Sequence, residues 1–249
     1  MSLLALDAPS PNHEPRLRPP DCVILHYTGM TSGAAALERL RDPEAKVSAH
    51  YLIEEDGRLF RLVPEERRAW HAGRAFWKGE ADVNGLSIGI ELVNPGHEFG
   101  YRPFPEAQIT TLLKLMDEVR GRWSVPDWRI LGHSDVAPDR KTDPGELFPW
   151  DALARAGHGL WVEPAAAPGE PLAEGAEGAG VFALQAGLTR LGYDSAPSGV
   201  FGAETRIIIE AFQRHWRPAK VDGVADGETR ARLIALLREI SLRQALLPG

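Results

Sequence analysis

A run of Ala, Gly, Pro and Glu from Glu163 to Gly180 divides the chain into two parts, with Leu172 as its only other residue. Such a run has too few apolar side chains to build a core, so it predicts a linker or a loosely packed connector. We place this linker at 159–180. A chain of 249 residues is long enough for a larger domain at 20–158 and a smaller one at 181–249.

The first 19 residues are predicted to be a flexible arm, 1–19. The apolar stretch from Leu3 to Leu6 is shorter than the core of a secretory signal, and no positive charge precedes it. This pattern predicts a cytoplasmic protein. A periplasmic or envelope location is the alternative if the start site is misassigned.

Composition excludes several classes of function. The formal net charge is −7, so no basic surplus exists to neutralise a phosphate backbone, and we predict no nucleic-acid binding. A single cysteine excludes both an intrachain disulfide framework and a four-thiolate zinc site. No apolar run approaches the roughly 18 residues of a membrane span, and no protein partner is evident.

The larger part alternates strand and helix signals. Strands are predicted at 22–27, 49–54, 58–63, 86–93 and 128–132, and helices at 105–120 and 147–156. Asp56-Gly57 between the second and third strands is typical of a tight hairpin turn. This order predicts an α/β fold, a mixed central β-sheet flanked by helices.

The smaller part contains an internal repeat. The segments GVFGAETR (199–206) and GVADGETR (223–230) are identical at the glycine, the valine and the final Glu-Thr-Arg. Each leads into a stretch with helical apolar spacing, at 203–215 and 227–240, and a further helix is predicted at 181–191. A second, small three-helix domain is the expected result.

Three segments contain residues suited to catalysis. His26 lies at the end of the first strand, Glu91 lies inside the apolar strand 86–93, and the segment 133–145 holds His133, Lys141 and Asp143. A carboxylate in an apolar strand needs a cation, a metal-bound water or surface exposure. Two histidines and a carboxylate form a zinc set with one open position, but spacing alone leaves the site undecided.

Sequence motifs then indicate a family. They are HYT (26–28), SAHYLI (48–53), LVPE (62–65), AWHAG (69–73), N-x-x-SIGIEL (84–92) and H-x-D-x-AP-x-RK-x-DPG-x-x-FPW (133–150). The larger part resembles the type 2 N-acetylmuramoyl-L-alanine amidases of the AmiD/AmpD group, within the peptidoglycan-recognition-protein superfamily. The smaller part, with LQ (184–185), LGY (191–193) and FQ (212–213), resembles a peptidoglycan-binding module.

The resemblance implies a role for individual residues. The implied zinc ligands are His26, His133 and Asp143. Glu91 would be the general base, and Lys141 would stabilise the oxyanion. The implied substrate-binding residues are Tyr27, His71 and Asn84, with a turn-capping role left open for Asn84. Of the remaining histidines, His50 is predicted to have a structural role. The others are predicted to lie on the surface: His13, His97, His158 and His215.

The implied activity is zinc-dependent hydrolysis of the amide between N-acetylmuramic acid, including its 1,6-anhydro form, and L-alanine of the stem peptide. The substrates would be muropeptides or peptidoglycan, in cell wall recycling or degradation. Two alternatives stay open: a non-catalytic peptidoglycan-recognition protein, and a zinc amidase or peptidase acting on a different amide.

Overall fold

A computed structural model describes residues 3–246 of the chain. Its strands are β1 (Ala5–Asp7), β2 (His13–Pro15), β3 (Cys22–Tyr27), β4 (Tyr51–Ile53), β5 (Leu59–Arg61), β6 (Arg67–Ala69), β7 (Ser87–Leu92) and β8 (Ile130–Gly132). Six of them form a mixed sheet in the order β1-β5-β4-β7-β3-β8, and β2 pairs with β6. The predicted central sheet is confirmed.

The helices are α1 (Gly33–Arg41), α2 (Val83–Leu86), α3 (Gly96–Phe99), α4 (Glu106–Arg122), α5 (His133–Val136), α6 (Trp150–Arg155), α7 (Ala179–Leu191), α8 (Ala203–Trp216) and α9 (Gly227–Ala245). Those up to α6 belong to the larger unit with the sheet, and α7 to α9 form the predicted helical unit. Across residues 3–246, no helix is both long and apolar enough to cross a membrane.

The centre of the sheet determines where the functional side chains lie. Strands β3, β7 and β8 run parallel, and β3 is in register with β7 so that His26 lies opposite Glu91. Both long strands are almost continuously apolar because both faces of the sheet are covered. The carboxyl ends of parallel strands share one edge, and β8 ends immediately before His133 at that same edge.

The predicted hairpin joins β4 and β5, which pair antiparallel with Leu52 opposite Phe60. Gly57 in its turn has a φ of 87°, in the left-handed region that favours glycine. A β-carbon there would lie 2.9 Å from the carbonyl oxygen of Ala107 in α4, so the turn also depends on close backbone approach.

The structure describes residues 3–19 of the predicted flexible arm 1–19, and two strands there replace the expected flexible segment. Strand β1 pairs in parallel with β5, and β2 pairs antiparallel with β6. Arg16 follows β2, and its guanidinium donates hydrogen bonds to four backbone carbonyls, those of Glu65, Arg67, Gly85 and Ser87. Backbone pairing and one buried guanidinium therefore order this segment, and its weak apolar pattern gave no sign of either.

The connector between the two units is also more ordered than its composition predicts. The backbone N–H of Ala167 donates to the carbonyl of Gly227 at 2.8 Å, and Leu172 exchanges two backbone hydrogen bonds with Ala225. These bonds hold the connector along the helical unit. They involve the backbone, and Leu172 also packs against the hydrophobic core, which explains why a segment with few large apolar side chains can be ordered there.

The sequence repeat in the helical unit corresponds to a repeated hydrogen-bond pattern. Gln185 of α7 donates to the carbonyl of Val200 and accepts from the N–H of Gly199. Gln213 of α8 does the same with Val224 and Gly223. Each glutamine thus fixes the glycine turn that precedes the next helix.

The two units share one hydrophobic core. A single cluster contains side chains from the central strands and from α7 to α9, including Ile24, Leu131, Leu188, Phe212 and Leu236. Because apolar surface of each unit is buried by the other, the helical unit is packed against the sheet unit as part of the same fold.

Candidate active site

Three metal-binding side chains meet at the carboxyl edge of the sheet. The Nδ1 atoms of His26 and His133 are 2.9 Å apart, and each is 3.1 Å from Oδ2 of Asp143. All three residues are at most 5% exposed. His26 is held by β3, His133 begins α5, and the N–H of Ser134 donates to the carbonyl of Asp143 at 2.9 Å, which ties the two loop ligands together.

Outer hydrogen bonds fix the tautomer of both histidines. Nε2 of His133 lies 3.0 Å from the carbonyl oxygen of Ala72, which can only accept, and 3.4 Å from Nη2 of Arg140; the shorter contact assigns the proton to Nε2 and the lone pair to Nδ1. Nε2 of His26 lies 3.0 Å from Nδ1 of His71, whose own Nε2 faces Oγ of Ser87. The Ser87 hydroxyl donates to the carbonyl of Val83, so it accepts from Nε2 of His71. Nδ1 of His71 then accepts from Nε2 of His26, which leaves Nδ1 of His26 with its lone pair.

Three electron-rich atoms therefore face one another without a proton between them. Burial and the neighbouring His133 lower the pKa of His26 to about 4, so its imidazole is neutral at pH 7. Two lone pairs and a carboxylate oxygen at 2.9–3.1 Å repel unless a cation lies among them. Ligands about 2.0–2.1 Å from a tetrahedral zinc ion would be roughly 3.3 Å apart, so the donor set and its spacing fit that ion.

Glu91 lies beside the three ligands. Its Oε2 atom is buried and has no hydrogen-bond partner among the described residues. Burial, and then the negative charge of Asp143, raise the pKa of Glu91 well above its usual value, although the charge of Lys141 opposes them. A carboxyl group with a raised pKa and a free oxygen is suited to accept and return a proton.

These residues line an open cavity of about 360 Å³. His26, His133, Asp143, Glu91 and Lys141 all contribute to its wall. The cavity is large enough for part of an extended ligand. The structure thus brings together the five residues for which the sequence implied metal-binding or catalytic roles.

Tyr27 lies at the rim of this cavity. Its hydroxyl group is 3.0 Å from both Nδ1 of His97 and Oγ1 of Thr142. His97 also pairs with Glu146 and stacks on Tyr101, with ring centroids 4.2 Å apart. We predicted that His97 lies on the surface and has no role in the site. His97 is exposed, but it lines the cavity. The fold of the segment after β7 brings it there.

His71 lies at the cavity, as the implied role requires, and its ring also makes contacts within the protein. Both ring nitrogens are engaged within the protein, with His26 and Ser87, so neither is free to bind a substrate. A β-carbon on Gly89 would lie 2.4 Å from the His71 ring, so glycine there allows the ring to reach His26. The contacts of His71 thus orient a metal-binding residue, although its edge touches the cavity.

The structure does not bring Asn84, one of the implied substrate-binding residues, to the wall of the cavity. Its Oδ1 accepts hydrogen bonds from the N–H groups of His71 and Ala72, at 3.0 and 2.8 Å. The side chain is 6% exposed and is not among the residues lining the cavity. The contacts show a third role beside substrate binding and turn capping: Asn84 holds backbone N–H groups that lie 12 and 13 residues away in sequence.

Replacing Asn84 with alanine should lower the free energy of unfolding by about 1–3 kcal/mol, because two buried N–H groups lose their acceptor. Thermal and urea unfolding measure this loss. The KM for substrate should stay unchanged in the folded variant, since Asn84 does not line the cavity. Wild-type stability combined with a raised KM would restore the substrate-binding role.

Two histidines predicted to be superficial are buried, His158 and His215, which are 4% and 2% exposed. His50 is fully buried, and its Nδ1 accepts from the N–H of Gly89 while its Nε2 faces the carbonyl of Arg67. A structural role fits His50, as predicted. No local motif surrounds His158 or His215, so no sequence pattern indicated that they are buried.

Comparisons with known proteins agree with this geometry. A family model described as N-acetylmuramoyl-L-alanine amidase matches residues 16–146, and one described as a putative peptidoglycan binding domain matches residues 177–233. The chain is 37% identical over 237 residues to N-acetylmuramoyl-L-alanine amidase AmiD of Escherichia coli, covering 87% of this chain and 82% of the relative. It is 34% identical over 165 residues to 1,6-anhydro-N-acetylmuramyl-L-alanine amidase AmpD of Enterobacter cloacae, covering 59% and 86%.

Solved structures with bound ligands are also similar. AmiD from E. coli, in complex with anhydro-N-acetylmuramic acid-L-Ala-D-gamma-Glu-L-Lys, has a TM-score of 0.77 at 36% identity, covering 89% of this chain and 90% of that one. AmpDh3 from Pseudomonas aeruginosa, in complex with anhydromuramic pentapeptide, has a TM-score of 0.77 at 32% identity, covering 90% and 93%.

Proposed function

Since this chain belongs to the N-acetylmuramoyl-L-alanine amidase family, we propose that it hydrolyses the amide between the lactyl group of N-acetylmuramic acid and L-alanine of the stem peptide. We include the 1,6-anhydro form, because the ligands named for AmiD and AmpDh3 both carry it. One observation carries the proposal: three inward-facing donor atoms and a free carboxylate meet at the wall of one cavity.

We propose zinc as the metal. His26 and His133 would hold it through Nδ1, and Asp143 through Oδ2. When bound with one coordination position open, zinc supplies Lewis acidity and an activated water nucleophile at neutral pH. The hydrogen bonds from Nε2 of His133 to Ala72 and from Nε2 of His26 to His71 support this assignment, because they leave the Nδ1 atom of each histidine free to coordinate the metal.

Glu91 is proposed as the general base. Its free Oε2 would take the proton of the attacking water and later deliver it to the nitrogen of the leaving L-alanine. A pKa raised by burial brings the carboxyl closer to neutral pH, where one group can both accept and donate a proton.

Lys141 is proposed to stabilise the negative charge that develops on the carbonyl oxygen. It lies two residues before Asp143 and lines the cavity, so the ligand loop sets its position. Replacing Lys141 with alanine should lower kcat by roughly 10²–10³-fold, the effect of losing one oxyanion donor. Steady-state kinetics and a metal-content assay check this. Unchanged kcat with full metal content would exclude the role.

Tyr27 is proposed to contact the substrate at the cavity rim, where its hydroxyl group is held by Thr142 and His97. A non-catalytic recognition protein is the alternative function. It is disfavoured because each of the residues assigned to metal binding, proton transfer and oxyanion stabilisation is present.

We test the proposed function by measuring peptide release from soluble anhydro-muropeptide and from intact sacculi, in parallel, with mass identification of the products. A chelator should abolish release, and added zinc should restore it. Cleavage of the soluble substrate alone would indicate a recycling enzyme, and cleavage of both a broader amidase. No release from either would favour the recognition protein, and cleavage at a different bond would identify another amidase.

We also propose a cytoplasmic location, with the periplasm or the envelope as the alternative. Fractionation of the cells that produce the protein tests this proposal. Recovery with the envelope would overturn it in favour of the periplasmic or envelope alternative.

A further inference from the structure

Asp135 forms a buried junction between the two units of the fold. It lies in α5, two residues after His133, and it is fully buried. Its Oδ2 accepts a hydrogen bond from the N–H of Gly132 at 2.8 Å, which closes the turn ahead of His133. The other bonds to this carboxylate come from the helical unit.

Two side chains of the helical unit hold Asp135. The hydroxyl group of Tyr193, just after α7, donates to Oδ1 at 2.7 Å. Nδ1 of His215, in α8, lies 2.7 Å from Oδ2. Both residues are buried, at 1% and 2% exposure, so water does not compete for these bonds.

The two residues are themselves fixed in place. The His215 ring is stacked between Trp150 of the sheet unit and Trp216, with ring centroids 3.6 and 3.7 Å away. The Tyr193 ring packs edge-on against Trp77, and the neighbouring carbonyl of Gly192 accepts from the N–H of Lys78 at 2.8 Å. Neither donor can turn away from Asp135 without disturbing this packing.

α5 connects the junction to the metal ligands. It has only four residues, with His133 at its start and Asp135 in its second half. The N–H of Ser134 donates to the carbonyl of Asp143, so a shift of α5 would move both loop ligands relative to His26 on its strand. A displacement of 1 Å at this helix would spoil the 2.9–3.1 Å spacing of the three donor atoms.

We propose that the helical unit positions the metal site: Tyr193 and His215 hold Asp135 and so keep His133 and Asp143 in ligating geometry. Both are positioning residues, since neither lines the cavity. This inference rests on the proposed metal site and assigns the helical unit a role in the reaction itself. Any binding of wall polymer by that unit would be additional.

The test compares metal affinity in matched variants of the full chain. Tyr193→Phe removes only the donor to Oδ1, and His215→Phe keeps an aromatic ring between the two tryptophans while removing the donor to Oδ2. His215→Asn is the rescue variant, because its amide N–H can replace Nδ1. Tyr51→Phe is the control: it deletes a buried hydroxyl group 2.6 Å from the carboxylate of Glu65, outside the cavity and away from Asp135.

The zinc dissociation constant is measured by competition with a chelating dye, together with the melting temperature of the metal-free protein. We expect Tyr193→Phe and His215→Phe each to weaken zinc binding by up to about 10-fold, the lower end of the 10–100-fold cost of losing a partner that hydrogen-bonds a ligand directly, because both residues act through Asp135. His215→Asn should recover part of this loss. Tyr51→Phe should lower the melting temperature with zinc affinity unchanged.

Wild-type zinc affinity in both phenylalanine variants would overturn the inference, whatever their melting temperatures. Failure of the wild-type protein to bind zinc would instead contradict the proposed metal site. The two failures are therefore distinguishable. At saturating zinc, kcat of the phenylalanine variants should recover toward the wild-type value, since the catalytic groups are intact.

Discussion

Replacing Glu91 with glutamine should lower kcat by roughly 10²–10⁴-fold, the contribution of a well-placed general base. Glutamine has nearly the same size but cannot accept a proton. The Oε2 atom it would replace is buried and has no hydrogen-bond partner within residues 3–246, so no hydrogen bond of that part of the chain is lost. Steady-state kinetics on a soluble muropeptide, with zinc content measured on the same sample, checks the result.

Stability separates this effect from unfolding. Burial raises the pKa of Glu91 in the folded protein above its value in the unfolded chain. At a pH above that unfolded pKa, the group lowers the free energy of unfolding, because its charged form is disfavoured in the folded state. Metal-free Glu91→Gln should therefore melt at or above the wild-type temperature at pH 7, and this advantage should vanish under acid conditions where both states are protonated.

The matched control is Glu54→Gln. Burial also raises the pKa of Glu54, but this residue does not line the cavity. It should retain wild-type turnover. A Glu91→Gln variant with a near wild-type rate would remove Glu91 from the mechanism and leave proton transfer to another group.

Replacing Asp143 with alanine should weaken zinc binding by more than about 100-fold, beyond the cost of losing an outer partner. It removes one of three donor atoms and leaves the lone pairs of His26 and His133 facing each other across the site. Turnover should be lost at ordinary zinc concentrations. Dye competition and kinetics at increasing zinc measure both effects.

Asp139→Ala is the control for this prediction. Asp139 belongs to the same loop, but it is an exposed partner of Arg74 and does not line the cavity. Its loss should leave zinc affinity near the wild-type value. If Asp143→Ala bound zinc as tightly as the wild-type protein, Asp143 would not be a zinc ligand.

Much of the fold follows from local patterns in the chain. The apolar runs at 22–27 and 86–93 have the composition of strands buried on both faces, and Gly57 has the left-handed conformation that a tight turn needs. Helical periodicity likewise identified the helices on either side of the connector. These signals are local, because each residue's neighbours in sequence determine them.

The residues that the patterns missed are governed by distant partners. Asn84 looked equally suited to ligand binding or turn capping, and its partners are two N–H groups more than ten residues away. Arg16 orders an arm whose own composition suggested flexibility. His215, without a motif of its own, is buried against Asp135, which is 80 residues distant.

Local sequence patterns located the strands that carry His26 and Glu91 and the strand that ends before His133, and the motifs around them pointed to the family. Three features became visible only in the folded chain: the free nitrogen of each metal-binding histidine, the hydrogen bond from His71 to Ser87, and the contact of the helical unit with Asp135. The reason is physical: strand and helix propensities act between near neighbours. Tautomers, buried hydrogen bonds and inter-unit packing depend on groups that only folding brings within 3 Å.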